Sequence, residues 1–178
     1  MNAGGAREFA MTMDQPARAM TAAVLVLLVV ALAPLWFFFF AFPQAERLHV
    51  AVTASTVVVV AALVLSWAMA PVAAVLSPTD LLIRRRAMRP KRFPRASFTS
   101  ASEAPRRLGL RVAGVGGFFG SFGLFWASGG TGVYWLYTAR VKAAPGAQLA
   151  RRRGKPLVVV PDEGAAFLAA VRDWLARP

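Results

Sequence analysis

Seven cations fall within residues 84–95: Arg84, Arg85, Arg86, Arg89, Lys91, Arg92 and Arg95. Guanidinium and ammonium groups at that density attract phosphates and carboxylates, and beside an anionic lipid layer each is worth ~1 kcal/mol. The same run could equally enforce topology and solubilise a strand edge. A second group, Arg151, Arg152, Arg153 and Lys155, surrounds Gly154 and could meet an acidic protein partner or nucleic acid. No base-reading motif accompanies it, so a solvated hairpin tip is the plainer reading and nucleic acid is disfavoured.

Covalent and acid–base chemistry finds few side chains to use. The chain has no cysteine and a single histidine, His49, which removes thiolate nucleophiles, thiolate metal sites and disulfides together. His49 falls in a short turn, remote from the five carboxylates after position 77: Asp80, Glu103, Asp162, Glu163 and Asp173. Three of those have ready roles at a helix end or on the surface, and the other two are isolated, so a paired-carboxylate site is not expected. Gly154-Lys155 is followed by Pro156 and has no glycine five places earlier, which breaks the phosphate-loop pattern. Gly117, Gly120 and Gly123 lack the strand-to-helix setting of a dinucleotide fingerprint. No catalytic, cofactor-binding or metal-ligating residue is assigned, and the expected activity is binding without a chemical step.

The elements that position the cations follow from hydropathy. The chain has 178 residues, 57% of them hydrophobic and 16% charged, with a mean hydropathy of +0.53 and a net charge of +13. That is too apolar for an ordinary soluble domain. Residues 20–42 carry no charge, and at ~1.5 Å per residue they could cross a hydrocarbon layer ~30 Å thick. The aromatic run of residues 36–40 suits an interfacial belt. A cleaved signal peptide competes, with Ala31-Leu32-Ala33 as its cut, but Pro34 would follow directly and the apolar run continues too far. A second uncharged stretch, residues 48–79, predicts another span from Val50 to about Ala70 or Leu76. Residues 43–49 can do little more than turn the chain, so the two spans form an antiparallel hairpin.

Arg7, Arg18 and Arg47 are the only cations before position 78. The positive-inside rule therefore puts both termini in the cytoplasm of a multi-pass plasma-membrane (inner-membrane) protein. The expected organisation is a cytoplasmic tail over residues 1–18, a transmembrane helical hairpin over 19–76 and a cytoplasmic domain over 79–178.

Within that domain, residues 79–85 and 107–112 read as strands, the second with Leu108, Leu110 and Val112 on one face. Residues 133–141 are β-branched and aromatic, while 147–152 and 157–160 flank a hairpin turn at Arg153-Gly154-Lys155-Pro156. Pro161-Asp162-Glu163 reads as a helix start, with Phe167, Val171, Trp174 and Leu175 on the covering face.

Residues 112–139 are also uncharged and long enough for a third span, as in a three-span channel or transporter accessory subunit. Eight glycines oppose a helix there, and Gly116-Gly117 and Gly129-Gly130-Thr131-Gly132 punctuate the stretch as turns would.

Three segments together resemble the bacterial pleckstrin-homology-like domain family. They are Arg111-Val-Ala-Gly-Val-Gly-Gly-Phe-Phe-Gly-Ser-Phe-Gly-Leu-Phe-Trp126, Gly132-Val-Tyr-Trp-Leu-Tyr-Thr138, and Leu157-Val-Val-Val-Pro-Asp-Glu163 with Phe167-Leu168. The resemblance covers about residues 79–178. It implies an α+β chain in which a strongly bent sheet or barrel is closed by a C-terminal helix, with the glycine-aromatic segment inside the folded domain. With the hairpin as its anchor and the basic runs beside it, the expected function is a membrane-anchored module that presents its basic surface to anionic lipid headgroups or a neighbouring membrane protein, a role that the fold alone does not fix. A membrane-tethered nucleic-acid binder is the remaining alternative.

Overall fold

The structure, a computed structural model, describes residues 6–42, 46–107, 109–127, 132–142 and 144–177. It is α+β: two apolar helices, a sheet-rich region and a C-terminal helix. Helix α1 runs Gln15–Ala41 and α2 runs Glu46–Met69, both long and apolar enough to cross a membrane. A helix apolar all round is a core helix or a span. Here Val29, Phe37 and Phe40 on α1 and Val50 and Val58 on α2 are exposed, with no core over them among the described residues. The helices meet near their distal ends, where the rings of Phe39 and His49 lie 4.1 Å apart. Of the expected turn over residues 43–49, residues 46–49 with His49 instead form the start of α2, because the helix begins as soon as the chain has reversed, and residues 43–45 lie outside the described residues.

The second helix stops earlier than the apolar run. Pro71 has no N–H to continue the ladder and disfavours helical geometry at Ala70. Ala70 therefore tightens the last turn by donating to the carbonyl of Trp67 at 3.2 Å. Residues 71–76, expected as a possible last part of the hairpin, instead form strand β2, Pro71–Leu76. They are apolar because β2 is a central strand, paired on one side with β1, Arg7–Ala10, and on the other with β3, Asp80–Arg85. Part of the expected 1–18 tail is thus built into the domain, with Phe9 and Met11 buried in its core.

Strand β4, Lys91–Pro94, completes a first antiparallel sheet of order β1-β2-β3-β4. A single 3-10 turn, Arg95–Ser97, carries the chain to β5, Phe98–Glu103, at the edge of a second sheet. That sheet has the order β5-β9-β10-β8-β7-β6, with β6 Leu110–Gly116, β7 Ser121–Trp126, β8 Val133–Thr138, β9 Ala147–Arg151 and β10 Leu157–Val160. All its pairs are antiparallel except β8 with β10.

The glycine-aromatic stretch is therefore three strands, not a third crossing helix. Its glycines have a specific use at Gly114 and Gly123, which face each other across β6 and β7. Both have positive φ, 115° and 130°, and a Cβ on either would fall within 2.4 Å of the opposite strand's backbone. The expected turn at Gly129-Gly130-Thr131 lies outside the described residues, as does Leu108.

Leu110 and Val112, expected on one face, are not covered: they are 77% and 54% exposed. Strand β6 is the sheet's edge, and a bulge between Arg111 and Ala113 interrupts its alternation.

The core joins both sheets to α3, Gly164–Ala176, through Leu81, Ile83, Phe93, Tyr137, Leu149 and Phe167. Phe167, Val171 and Trp174 are buried and Leu175 half-buried, as their spacing required. Trp174 donates through Nε1 to the carbonyl of Ser77 at 2.7 Å. Asp162 stands just before α3 and makes no capping hydrogen bond to it. It accepts from the Thr12 amide at 3.1 Å and pairs with Arg140 at 3.0 Å, tying the segment before α1 to the domain.

Candidate functional site at the foot of the helices

The seven clustered cations do not form one patch, because strand alternation sends them to opposite faces. Leu82, Arg84 and Arg92 share the outer face of the first sheet. There Arg84 pairs with Glu8 at 2.6 Å and Arg92 with Asp80 at 2.8 Å. Hydrogen bonds from Arg92 and then Thr79 hold the Asp80 carboxyl below the usual carboxylate range, against a smaller opposing effect of burial.

Ile83, Arg85 and Lys91 point to the inner face, the side on which Phe93 enters the core. Lys91 places its ammonium 4.5 Å from the centre of the Trp135 ring, with Phe93 and Tyr137 at 5.6 and 5.7 Å. Such contacts stabilise a cation by electrostatic attraction to the ring faces. Arg85 donates from Nε to the carbonyl of Arg89 at 2.9 Å.

Both inner cations border a cavity of about 430 Å³ between α2 and the sheets. Leu65, Ser66 and Met69 of α2 form one wall. Ala113 to Val115 of β6, with Phe122, Trp135 and Tyr137, form the other. The walls are mainly carbon, and Lys91 and Arg85 supply their formal charges. The chemistry this suits is an anionic group attached to an apolar body.

The turn after β3 is fastened to the same end of α2. Arg86 and Ala87 donate their amides to the carbonyls of Ala70 and Ala68 at 2.9 and 3.1 Å, and the Arg86 guanidinium lies 5.7 Å over the Trp67 ring. Arg89 is exposed beside it.

The near end of α1 is fastened as well, and its long-range contacts have no signature in the local sequence. Asp14 caps α1 by accepting from the Ala17 amide at 3.0 Å, and also accepts from the Val141 and Lys142 amides at 3.3 Å. Burial pushes its carboxyl up. The three amides and the charge of Arg140 more than offset this and hold it below the usual range.

The second expected group is divided too. Arg151 turns inward with its guanidinium 5.7 Å over Phe93, and its Nε is buried without a partner. Arg152 donates to the Ala96 carbonyl at 3.1 Å and shares an open groove with Arg95. Arg153 and Lys155 are exposed at the β9–β10 turn, as a solvated tip would be. Among the described residues no group of three or more histidine or acidic side chains could hold a metal ion.

No protein-family model, curated protein or solved structure matches this chain.

Proposed function

We propose that this chain is a two-span inner-membrane protein with both termini in the cytoplasm, and that its β-rich domain is a binding module of pleckstrin-homology-like fold for anionic lipid headgroups. Two packed sheets closed by α3 support the fold assignment. The observation that carries the functional reading is the double attachment of the domain. Asp14 and Thr21 hold the start of α1 to residues 119 and 141–142, while Ala68 and Ala70 hold the end of α2 to the β3–β4 turn. With α1 and α2 across the bilayer, Arg86 and Arg89 stand at headgroup level on a rigid mount instead of a flexible tether. A weak headgroup contact then operates at high effective concentration.

One observation favours a second reading, contact with a neighbouring membrane protein. Leu110 and Trp126 are direct cross-strand partners at the β6 edge and are 77% and 56% exposed. An exposed apolar pair on an unpaired strand edge suits a protein interface.

The test uses the absence of native cysteine. Single cysteines at Ala87, in the β3–β4 turn, and at Ser102, on the opposite sheet edge, are labelled with a fluorophore in anionic nanodiscs containing headgroup-located quencher lipid. Quenching at Ala87 well above that at Ser102 supports the reading, and equal quenching sinks it. Cysteines at Gln44 and Arg153 then report topology, with only Gln44 labelled from outside the cell.

A further inference from the structure

The mounting described above explains the exposed cations but not the two inner ones. Lys91 belongs to none of the three ion pairs among the described residues, although it is half-buried. Arg85 directs Nε and Nη2 to a single carbonyl and Nη1 to the weak acceptor Sδ of Met88 at 4.0 Å, so its remaining Nη hydrogens have no strong acceptor among the described residues. Both border a cavity whose volume lies in the small-molecule range of ~300–1,000 Å³ and whose remaining walls are mainly carbon. One of those walls is α2 itself: Leu65 lies one helical turn before Met69, on the apolar helix.

We propose that this crevice binds one anionic phospholipid, with its phosphate between Lys91 and Arg85 and an acyl chain along Leu65, Met69 and Phe122. The site rests on the membrane-anchored reading and goes beyond it by naming a single stoichiometric site and its ligand class. Charge complementarity calls for an anion, since two cations that belong to no ion pair among the described residues line the cavity. The carbon walls select a lipid over a free phosphate, because an inorganic anion would leave them unused. Continuity with α2 provides the entry route, from the inner leaflet along the helix surface. The aromatic rings of Trp135 and Tyr137 orient the Lys91 ammonium, so the site is formed before the lipid arrives.

The test is native mass spectrometry of the full chain released from detergent micelles doped with equal amounts of phosphatidylglycerol and phosphatidylcholine. The expected result is one retained phosphatidylglycerol, preferred roughly tenfold or more over phosphatidylcholine, as two headgroup-contacting cations imply. K91Q/R85Q should bring that preference close to parity, while R152Q/R153Q, with the same loss of charge elsewhere, should keep it. S66W fills the crevice without changing any charge and should also abolish retention. Millimolar glycerol 3-phosphate should not displace the lipid.

Equal retention of the two lipids overturns the proposal, as does equal loss in the two double variants, retention by S66W, or displacement by the soluble phosphate. If the Ala87 label is quenched but no lipid is retained, only this site fails. If that quenching is absent, the anchored reading fails with it.

Discussion

The amide of Phe119 donates a 3.0 Å hydrogen bond to the hydroxyl of Thr21, joining the β6–β7 turn to the first turns of α1. The same hydroxyl donates to the Ala17 carbonyl at 2.7 Å, so it is used in both directions. Phe119 has a φ of 57°, a left-handed conformation that bulky residues seldom adopt and that surrounding contacts must hold. Thr21→Val keeps the side-chain shape and leaves the Phe119 amide without its acceptor, at a cost of about 1–3 kcal/mol. Thr21→Ser should restore most of it. Denaturant titration in detergent, followed by tryptophan fluorescence, checks both variants, and unchanged midpoints would show that the turn holds itself.

Asp14 is expected to matter more than an ordinary helix cap. Losing the cap alone costs ~1 kcal/mol, and in Asp14→Ala the amides of Val141 and Lys142 lose an acceptor as well. The expected loss is about 2–3 kcal/mol for Asp14→Ala and less for Asp14→Asn, which can still cap. Thermal unfolding of the two variants beside the wild type decides it, and equal effects would leave capping without a role.

The two helices were legible because nothing but length and hydropathy is needed to see them, and β3, β8, β9, β10 and α3 followed from alternation or helical spacing. The misses have physical causes. Strand β2 is central and all its residues are apolar and buried or half-buried, so Pro71–Leu76 reads as a continuation of the apolar helix, and only Pro71 marks the change. Strand β1 has four residues and owes its existence to its partner β2. Strand β7 hides its alternation behind Gly123 and aromatic residues on both faces. The division of the cations was half legible: period-two alternation separates Arg84 from Arg85 and Lys91 from Arg92. Which pair finds carboxylates and which faces a cavity depends on register with β2 and on where α2 ends. Asp14 ahead of Pro16 carries a helix-start signal, but its second role gave none, since the amides of Val141 and Lys142 lie more than a hundred residues away.

Acid should destabilise the fold through Asp14 and Asp80. Both carboxyls are held below their ordinary value in the folded chain, so the unfolded chain binds more protons as pH drops. Their contribution is present in full above the unfolded carboxylate pKa of about 4 and is lost as pH falls through the lower folded values. The expected observation is a midpoint that is flat from neutral pH to about 5 and declines below about 4, with a shallower decline in D80N. A D80N profile as steep as the wild type's would place the acid sensitivity elsewhere.

Gly123, like Gly114 opposite it, should resist replacement. Its φ of 130° is rarely adopted by residues with a side chain, and an added Cβ would sit 2.3 Å from the Ala113 carbonyl oxygen. The nearest atoms are backbone, so no rotamer change relieves the clash, and the strands must separate. Separation would disturb β6, which forms one wall of the crevice, while the first sheet and α3 keep their own contacts. Gly123→Ala is therefore expected to cost at least ~2 kcal/mol and to speed amide exchange in β6 and β7 more than in β2 and β3. Gly132→Ala is the control: that glycine also has positive φ, 82°, but its Cβ would meet nothing within 4 Å. It should cost only the conformational strain, ~1 kcal/mol. Equal losses in the two variants would mean that backbone strain, not close approach of the strands, dictates glycine at position 123.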